Sequence, residues 1–344
     1  MNDKPSVPPA TLLRELAYVM RASRALYAAA ELGLADILSG GQMTSGELAA
    51  KAGVDGSTTR RLIRALVAHG VFEEPEYDRF RLNPAGELLR RDVPGSQRAA
   101  VLFTAGKMRW ELWSDFLECV RTGRAAIERA FGKSVFERNA ESPEESALFN
   151  QAMASYSAAL SAPIMAAYDF GSLRRLADIG GGTGRLIADI LAGHRSIHGI
   201  LFDLPNVVTS APALLKASGV GARCEVIGGS FFDGVPSGAD AYMMRAILHD
   251  WDDDRSVAIL KSIREAMGPD AVLLIVERVL PEKAEAGRAA DSYLVDLEML
   301  VNAPGGRERT EAEFITILKV AGFGAIQMVP TATATSIIEA RPVS

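Results

Sequence analysis

The sequence predicts a two-part α/β chain, in which a helical N-terminal region precedes a mostly parallel sheet covered by helices on both faces. Three observations predict it. From residue 172 onward, short apolar runs alternate with helical stretches, the pattern of a parallel sheet that holds its ligand at the carboxyl ends of the strands. A glycine cluster, Gly180-Gly181-Gly182-Thr183-Gly184, joins the first of those runs to a helix. The first 170 residues carry helical periodicity, interrupted by a single candidate strand pair.

The N-terminal elements follow in order. Leu12, Leu16, Val19, Ala22, Leu26 and Ala29 recur at spacings of three and four, which predicts a helix over 11 to 38 with a break at Gly33 and Asp36. Its apolar surface is more than a small module covers, which points to packing between two copies. Thr44-Ser45-Gly46-Glu47 reads as a capping box opening a helix to Ala52, and Gly53 then turns the chain. Ser57 is read as the cap of a second helix carrying Leu62, Ile63, Leu66 and Val67, and strands at 71–73 and 79–82 flank Pro75-Glu76-Tyr77-Asp78. Together these form a winged helix. In isolation that module suggests a DNA-binding regulator, with Arg60, Arg61 and Arg64 on its second helix. Glu73, Glu74, Glu76 and Asp78 make the wing acidic, however, and the net charge is −6, so no nucleic-acid partner is expected.

Residues 98 to 168 read as helix throughout. Trp113 is read as core; Phe103, Met108 and Trp110 fit either core or the wall of a pocket for a flat ligand. Phe149, Met153 and Tyr156 share one helical face, where ordinary packing is the plain alternative.

In the C-terminal region strands are predicted at 173–179, 198–202, 224–228, 239–244 and 271–277, with helices near 184–193, 206–218, 254–267 and 310–321. A hairpin from 325–329 and 335–340 closes the sheet edge. The first strand runs into the turn at Ile179, and Gly180, Gly182 and Gly184 let the turn adopt φ > 0 while the helix N-terminus presents free N–H groups to a ligand. Asp203 ends the second strand about 20 residues later, where an acid accepts both ribose hydroxyls. Dinucleotide enzymes share this pattern. Ser230-Phe231-Phe232 after the third strand offers an aromatic cover for adenine, and no basic residue lies inside the turn, although Arg185 follows it. Those features favour S-adenosylmethionine, a sulfonium cation, over a pyrophosphate.

Four histidines are present, and His69, His194 and His198 sit near the ends of predicted elements. His249 falls instead in a loop at the ligand-facing edge. Glu277 ends the next strand and Glu308 lies beyond Pro304-Gly305-Gly306, so two acids reach the same region.

On the motifs Asp178-Ile179-Gly180-Gly181-Gly182-Thr183-Gly184, Phe202-Asp203-Leu204-Pro205, Leu248-His249-Asp250-Trp251 and Asn302 to Thr310, the chain from about residue 10 onward resembles the plant-type small-molecule O-methyltransferases and their bacterial relatives. The resemblance implies a Rossmann-like class I methyltransferase sheet with an N-terminal all-helical, winged-helix dimerisation domain. Boundaries are expected at 1–97, 98–170 (a helical linker contributing to the acceptor pocket) and 171–344, in a homodimer. It implies methyl transfer from S-adenosylmethionine to a hydroxyl of a small aromatic or polyketide-like metabolite, with His249 as general base bracketed by Glu277 and Glu308. An ordinary imidazole, of pKa about 6.5, then faces a phenol of about 10. Leu204, Asp250, Trp251 and Arg245 join Asp178, the three glycines, Asp203, Ser230 and Phe231 as implied cofactor contacts. Arg245 and Ser230 stand where plant relatives carry lysine and aspartate. The implied acceptor contacts are Phe103, Met108, Trp110, Phe149, Met153, Tyr156, Met299 and Ala303, Tyr156 replacing a histidine of many plant relatives. Two rival readings are a non-methylating tailoring enzyme on the same fold, hydroxylase- or decarboxylase-like, and a winged-helix ligand-binding regulator.

Composition bounds the rest. With 344 residues and 48% hydrophobic content, the chain supports two packed cores. Cys119 and Cys224 are far apart and apolar in setting, which predicts buried thiols rather than a disulfide framework. No His, Cys and acid spacing suggests a metal, no stretch approaches a membrane span, and Met1 to Ser6 lack a signal-like apolar core, so a cytoplasmic protein is expected.

Overall fold

The computed structural model describes residues 8–133 and 142–343. The chain packs as two compact units, one formed by 1–110 with 147–155 and the other by 111–146 with 156–344. The helical stretch 98–170 is therefore divided between them.

In the first unit, α1 (Pro9–Glu31) stops where Gly33 takes a left-handed φ of 65°, and α2 (Leu34–Leu38) follows. The capping box of α3 (Ser45–Ala52) is present in both directions: Glu47 N–H donates to Thr44 Oγ1 at 3.2 Å and Thr44 N–H to Glu47 Oε2 at 2.8 Å. The cap of α4 (Gly56–Ala68) is Asp55, which accepts Thr58 N–H at 2.8 Å, and not Ser57. Asp55 has the extended backbone an N-cap needs, whereas Ser57 already lies inside the helix. β1 (Phe72–Glu76) and β2 (Arg79–Leu82) pair antiparallel, so the wing turn is only Tyr77-Asp78. Leu34, Leu48, Ile63, Leu66, Phe72 and Phe80 form the core between these pieces. The acidic wing meets its own helix, with Arg60 Nε 3.2 Å from Asp78 and Arg64 Nε 3.8 Å from Glu74. The N-terminal half of α1 leaves Leu13, Leu16 and Val19 at 69, 65 and 62% exposure.

After α5 (Pro84–Glu87), the helical stretch is broken into α6 (Arg98–Thr104), α7 (Lys107–Ser114), α8 (Phe116–Thr122), α9 (Ala126–Phe131) and α10 (Pro143–Ala167).

The second unit is built on β3 (Arg175–Ile179), β4 (His198–Asp203), β5 (Cys224–Gly228), β6 (Ala241–Arg245) and β7 (Val272–Leu280), all parallel. The strand order is β5-β4-β3-β6-β7-β10-β9. The predicted hairpin, β9 (Phe323–Pro330) and β10 (Thr335–Pro342), closes the edge, β10 running antiparallel to β7. Alternating residues feed two cores. Met243 and Leu274 face α11 (Arg185–Gly193) and α12 (Ala211–Ala217), while Met244 and Ile275 face α13 (Asp253–Ala266) and α15 (Glu311–Val320). Between them the structure adds α14 (Ala290–Asn302), a helix the periodicity did not predict, and β8 (Arg309–Thr310), which pairs with Val279 and Leu280 and carries β7 past its predicted end. Both cysteines are buried thiols. No helix among the described residues is long and apolar enough to cross a membrane.

Candidate active site

The glycine turn opens directly from β3. Gly180, Gly182 and Gly184 have φ of 70, 61 and 86°, so each demands a residue without Cβ, and α11 starts immediately after. Gly181 is constrained differently, and sequence reading passed over it. A Cβ there would lie 2.5 Å from Leu201 Cδ1 and 2.6 Å from Asp178 Oδ2. Asp203, at the end of β4, pins the turn by accepting Gly182 N–H and Leu204 N–H, both at 2.7 Å. Burial pushes its carboxyl above the usual range, and those two N–H groups pull it back.

Asp178 is 1% exposed, and its Oδ2 has no hydrogen-bond partner among the described residues. Burial pushes it up to about 7, against the pull of the Arg245 guanidinium. Arg245, at the end of β6, donates to Ser157 Oγ. Beside the turn, Phe231, Phe232 and Trp251 form an aromatic cluster, with centroids 5.0 Å apart for the two phenylalanines and 4.9 Å for Phe232 and Trp251. Ser230 Oγ accepts Phe232 N–H at 3.2 Å, which shapes the loop that presents these rings.

These residues fit S-adenosylmethionine. Backbone without Cβ lets a ligand approach the N-terminus of α11, Asp203 offers carboxylate oxygens at the end of the neighbouring strand, and aromatic faces lie nearby. A pyrophosphate fits less well, because Arg185, the basic residue that follows the turn, is tied to Asp189 on its own helix at 3.0 Å.

His249 sits in a short 3-10 turn, Leu248–Asp250, that follows β6. The chain enters it through Ala246 at φ 55°, a left-handed conformation costly for a residue with Cβ. Glu277 on β7 holds the entry: its Oε1 accepts Ile247 and Leu248 N–H, each at 2.8 Å, and its Oε2 lies 2.9 Å from His249 Nδ1. Glu308 Oε1 is further away, 3.7 Å from the same nitrogen, and its Oε2 has no partner among the described residues. On the other side of the ring, Asp250 Oδ1 is 3.7 Å from Nε2. Pro304-Gly305-Gly306 allows this approach, since a Cβ on Gly306 would lie 2.7 Å from the His249 carbonyl oxygen.

The electrostatics set this ring apart from a free imidazole. Burial draws the His249 pKa down, but Glu277, Asp250 and Glu308 together outweigh it and raise it to about 10. This setting favours the imidazolium form of the ring in the ligand-free protein. Burial opposes ionisation of Glu277, yet His249 and the two backbone N–H groups hold its pKa below the usual range. Glu308 is pushed up to about 7, chiefly by burial. One ring nitrogen of His249 and one carboxylate oxygen each of Glu277 and Glu308 lie within 4.8 Å of one another, so both expected acids reach the ring.

The implied acceptor residues fall in both units. In the first, Phe103 and Phe149 pack edge to face at 5.5 Å, and Arg109, which sequence reading did not single out, stacks its guanidinium 4.3 Å over Phe103. Trp110 is 39% exposed under the Arg24 guanidinium, and Met108 and Met153 are half-buried. In the second, Tyr156 is 39% exposed, Met299 is half-buried and Ala303 is buried at the end of α14. Trp113, read as core, packs on Phe116 at 5.1 Å and donates Nε1–H to Glu298 at 2.5 Å.

Comparison with known proteins identifies the family. Residues 113–324 match a family model described as an O-methyltransferase domain, and residues 14–92 match the O-methyltransferase dimerisation domain. The phenazine O-methyltransferase of Lysobacter antibioticus is 39% identical over 342 residues, 99% of both chains. The O-demethylpuromycin-O-methyltransferase of Streptomyces alboniger is 41% identical over 325 residues, 93% of this chain and 86% of that one. The solved structure of the N,N-8-amino-8-demethyl-D-riboflavin dimethyltransferase of Streptomyces davawensis superposes with a TM-score of 0.84 at 35% identity, covering 98% of this chain and all of that one.

Proposed function

Because the chain belongs to the O-methyltransferase family, we propose that it methylates a hydroxyl of a small aromatic or polyketide-like secondary metabolite with His249 as general base. S-adenosylmethionine is its cofactor, and when bound it supplies a methyl group made electrophilic by the sulfonium. The residues that would hold it are the glycines 180–184, Asp203 with Leu204, Asp178 and Arg245, with Phe231, Trp251, Ser230 and Asp250 toward the adenosine.

The observation that carries the base assignment is the Glu277 carboxylate 2.9 Å from Nδ1. It fixes a proton on Nδ1 and leaves Nε2 to take the acceptor's proton. Glu308 adds negative charge that favours the imidazolium once formed. The high pKa of the free ring requires the base form to arise in the loaded site, and positive charge bound nearby lowers it in the needed direction. Base catalysis then contributes roughly 10²–10⁴ in rate, and alignment on the order of 7–11 kcal/mol more. Phe103, Met108, Trp110, Phe149, Met153, Tyr156, Met299 and Ala303 are proposed to contact the acceptor.

Incubating the protein with S-adenosylmethionine and a panel of phenolic, polyketide, phenazine, indole and hydroxycarotenoid acceptors tests this reading by mass spectrometry. Methylated product on a hydroxyl is expected. Calorimetric cofactor binding without product from any hydroxyl or amine would favour the non-methylating tailoring reading. An amine acceptor is the second reading, carried by the likeness to the riboflavin dimethyltransferase. The regulator reading is weakened, since Arg60 and Arg64, two of the three arginines on its second helix, face the acids of the protein's own wing. The dimerisation match and the exposed apolar face of α1 support a homodimer.

A further inference from the structure

Arg309 is wholly buried, with 0% of its surface exposed. A buried guanidinium is costly unless its donors are satisfied, and an apolar side chain would fill the same space without that cost. Its partners show what it holds. Nη1 donates to the Leu248 carbonyl at 2.8 Å and Nη2 to the Trp251 carbonyl at 2.8 Å, so the fork grips the backbone on both sides of His249-Asp250. Nε and Nη2 reach Asp253 Oδ1 at 3.0 and 2.8 Å, and Nη2 reaches Ser256 Oγ at 3.1 Å, which anchors that grip to the start of α13.

The neighbouring residue works on the ring. Glu308 directs its carboxyl to His249 Nδ1, while Arg309 holds the backbone of the same loop. Arg309 is also in register with Val279 on β7, the strand that carries Glu277. One short extended segment thus sets the His249 loop against the carboxylate that orients its ring.

We infer that Arg309 is a positioning residue, clamping the Leu248–Trp251 backbone so that the His249 ring stays on Glu277. The inference rests on His249 being the base, but concerns what aims it. Lysine does not replace it, because a single ammonium lacks the planar fork that spans two carbonyls and a carboxylate.

The test is Arg309→Lys, with Ser256→Ala as a milder variant that removes one partner of the clamp. For Arg309→Lys we expect a folded protein that binds S-adenosylmethionine within about twofold of native, with acceptor KM little changed and kcat lowered roughly 10- to 100-fold. The NMR titration of the His249 ring should move to lower pH as the ring drifts from Glu277. Ser256→Ala should shift both readouts in the same direction, by less. A lowered kcat with the His249 titration unmoved would overturn the inference, as would a folded Arg309→Lys protein unchanged in both. If Arg309→Lys does not fold, Ser256→Ala decides: native behaviour in both readouts overturns the inference. Near-native turnover of His249→Ala, combined with a displaced ring titration in Arg309→Lys, would reject the base while retaining the clamp.

Discussion

Replacing His249 with alanine removes the proposed proton acceptor, and the expected loss follows from the acidities involved. A phenolic acceptor of pKa about 10 is ionised to about one part in a thousand at pH 7, so losing the base should lower kcat by about 10³, or ~4 kcal/mol. That lies inside the usual range for general base catalysis. Because the variant depends on the acceptor's own ionisation, its deficit should shrink by about tenfold per pH unit and nearly vanish close to the acceptor's pKa. The native enzyme adds a second signature. The acids around His249 push its pKa up to about 10, so kcat/KM should keep rising through the alkaline range, whereas kcat should level at lower pH because bound positive charge opposes the imidazolium. Single-turnover quench experiments with product quantified by mass spectrometry isolate the chemical step, and calorimetry checks that cofactor affinity is retained. Near-native turnover of His249→Ala at pH 7 on a hydroxyl acceptor, or a deficit that does not change with pH, would refute the base assignment and leave alignment as the main source of rate.

Asp203→Ala should weaken S-adenosylmethionine binding by about 1–3 kcal/mol, and unchanged calorimetric affinity would remove Asp203 from the site. Gly181→Ala should destabilise the fold by about 1–3 kcal/mol, since its Cβ would meet Leu201 at 2.5 Å; a native melting temperature would show that the cradle widens freely. The raised His249 pKa contributes stability that is complete below about 6.5 and lost as pH rises through about 10, so native thermal stability should fall across that window more steeply than that of His249→Ala. Equal slopes would mean the ring is not held by its acids. Light scattering should show a homodimer, and lysine at Leu13 and Leu16, exposed at 69 and 65%, should make it a monomer; an unaffected dimer would place the interface elsewhere.

The glycine turn and Asp203 were legible because their roles are carried by backbone conformation and a fixed spacing between successive strand ends. His249 and Glu277 were legible as neighbours for a related reason, since β6 and β7 are adjacent and parallel and so end at the same edge. What stayed hidden depends on convergence or on ambiguous patterns. α14 escaped because Tyr293, Leu294, Val295, Leu297, Met299, Leu300 and Val301 spread apolar residues around the helix and blur its period. Asp55 and Ser57 are both capping types, and only the backbone separates them. Arg307 and Arg309 look equivalent in sequence. The extended chain turns one outward to Asp253 and Glu313 with 42% of its side chain exposed and buries the other completely. The charge on His249 could not be read at all, because it is set by Asp250, Glu277 and Glu308 acting together on one ring.

The preference for a cation follows from the order of charges along that edge. Asp178 at the end of β3, Arg245 at the end of β6 and Glu277 on β7 alternate in sign, and His249 and Glu308 continue the series. Burial penalises every one of these charges, and the opposite charges beside them offset the penalty. Two members, Asp178 and Glu308, are pushed up to about 7 and therefore hold their protons loosely at physiological pH. Positive charge bound beside either one would favour its ionised form. A bound phosphate would have the reverse effect, and Arg185, which follows the turn in sequence, is already paired with Asp189. The glycine turn, which in a dinucleotide enzyme cradles an anion, is here set beside acids that favour a bound cation.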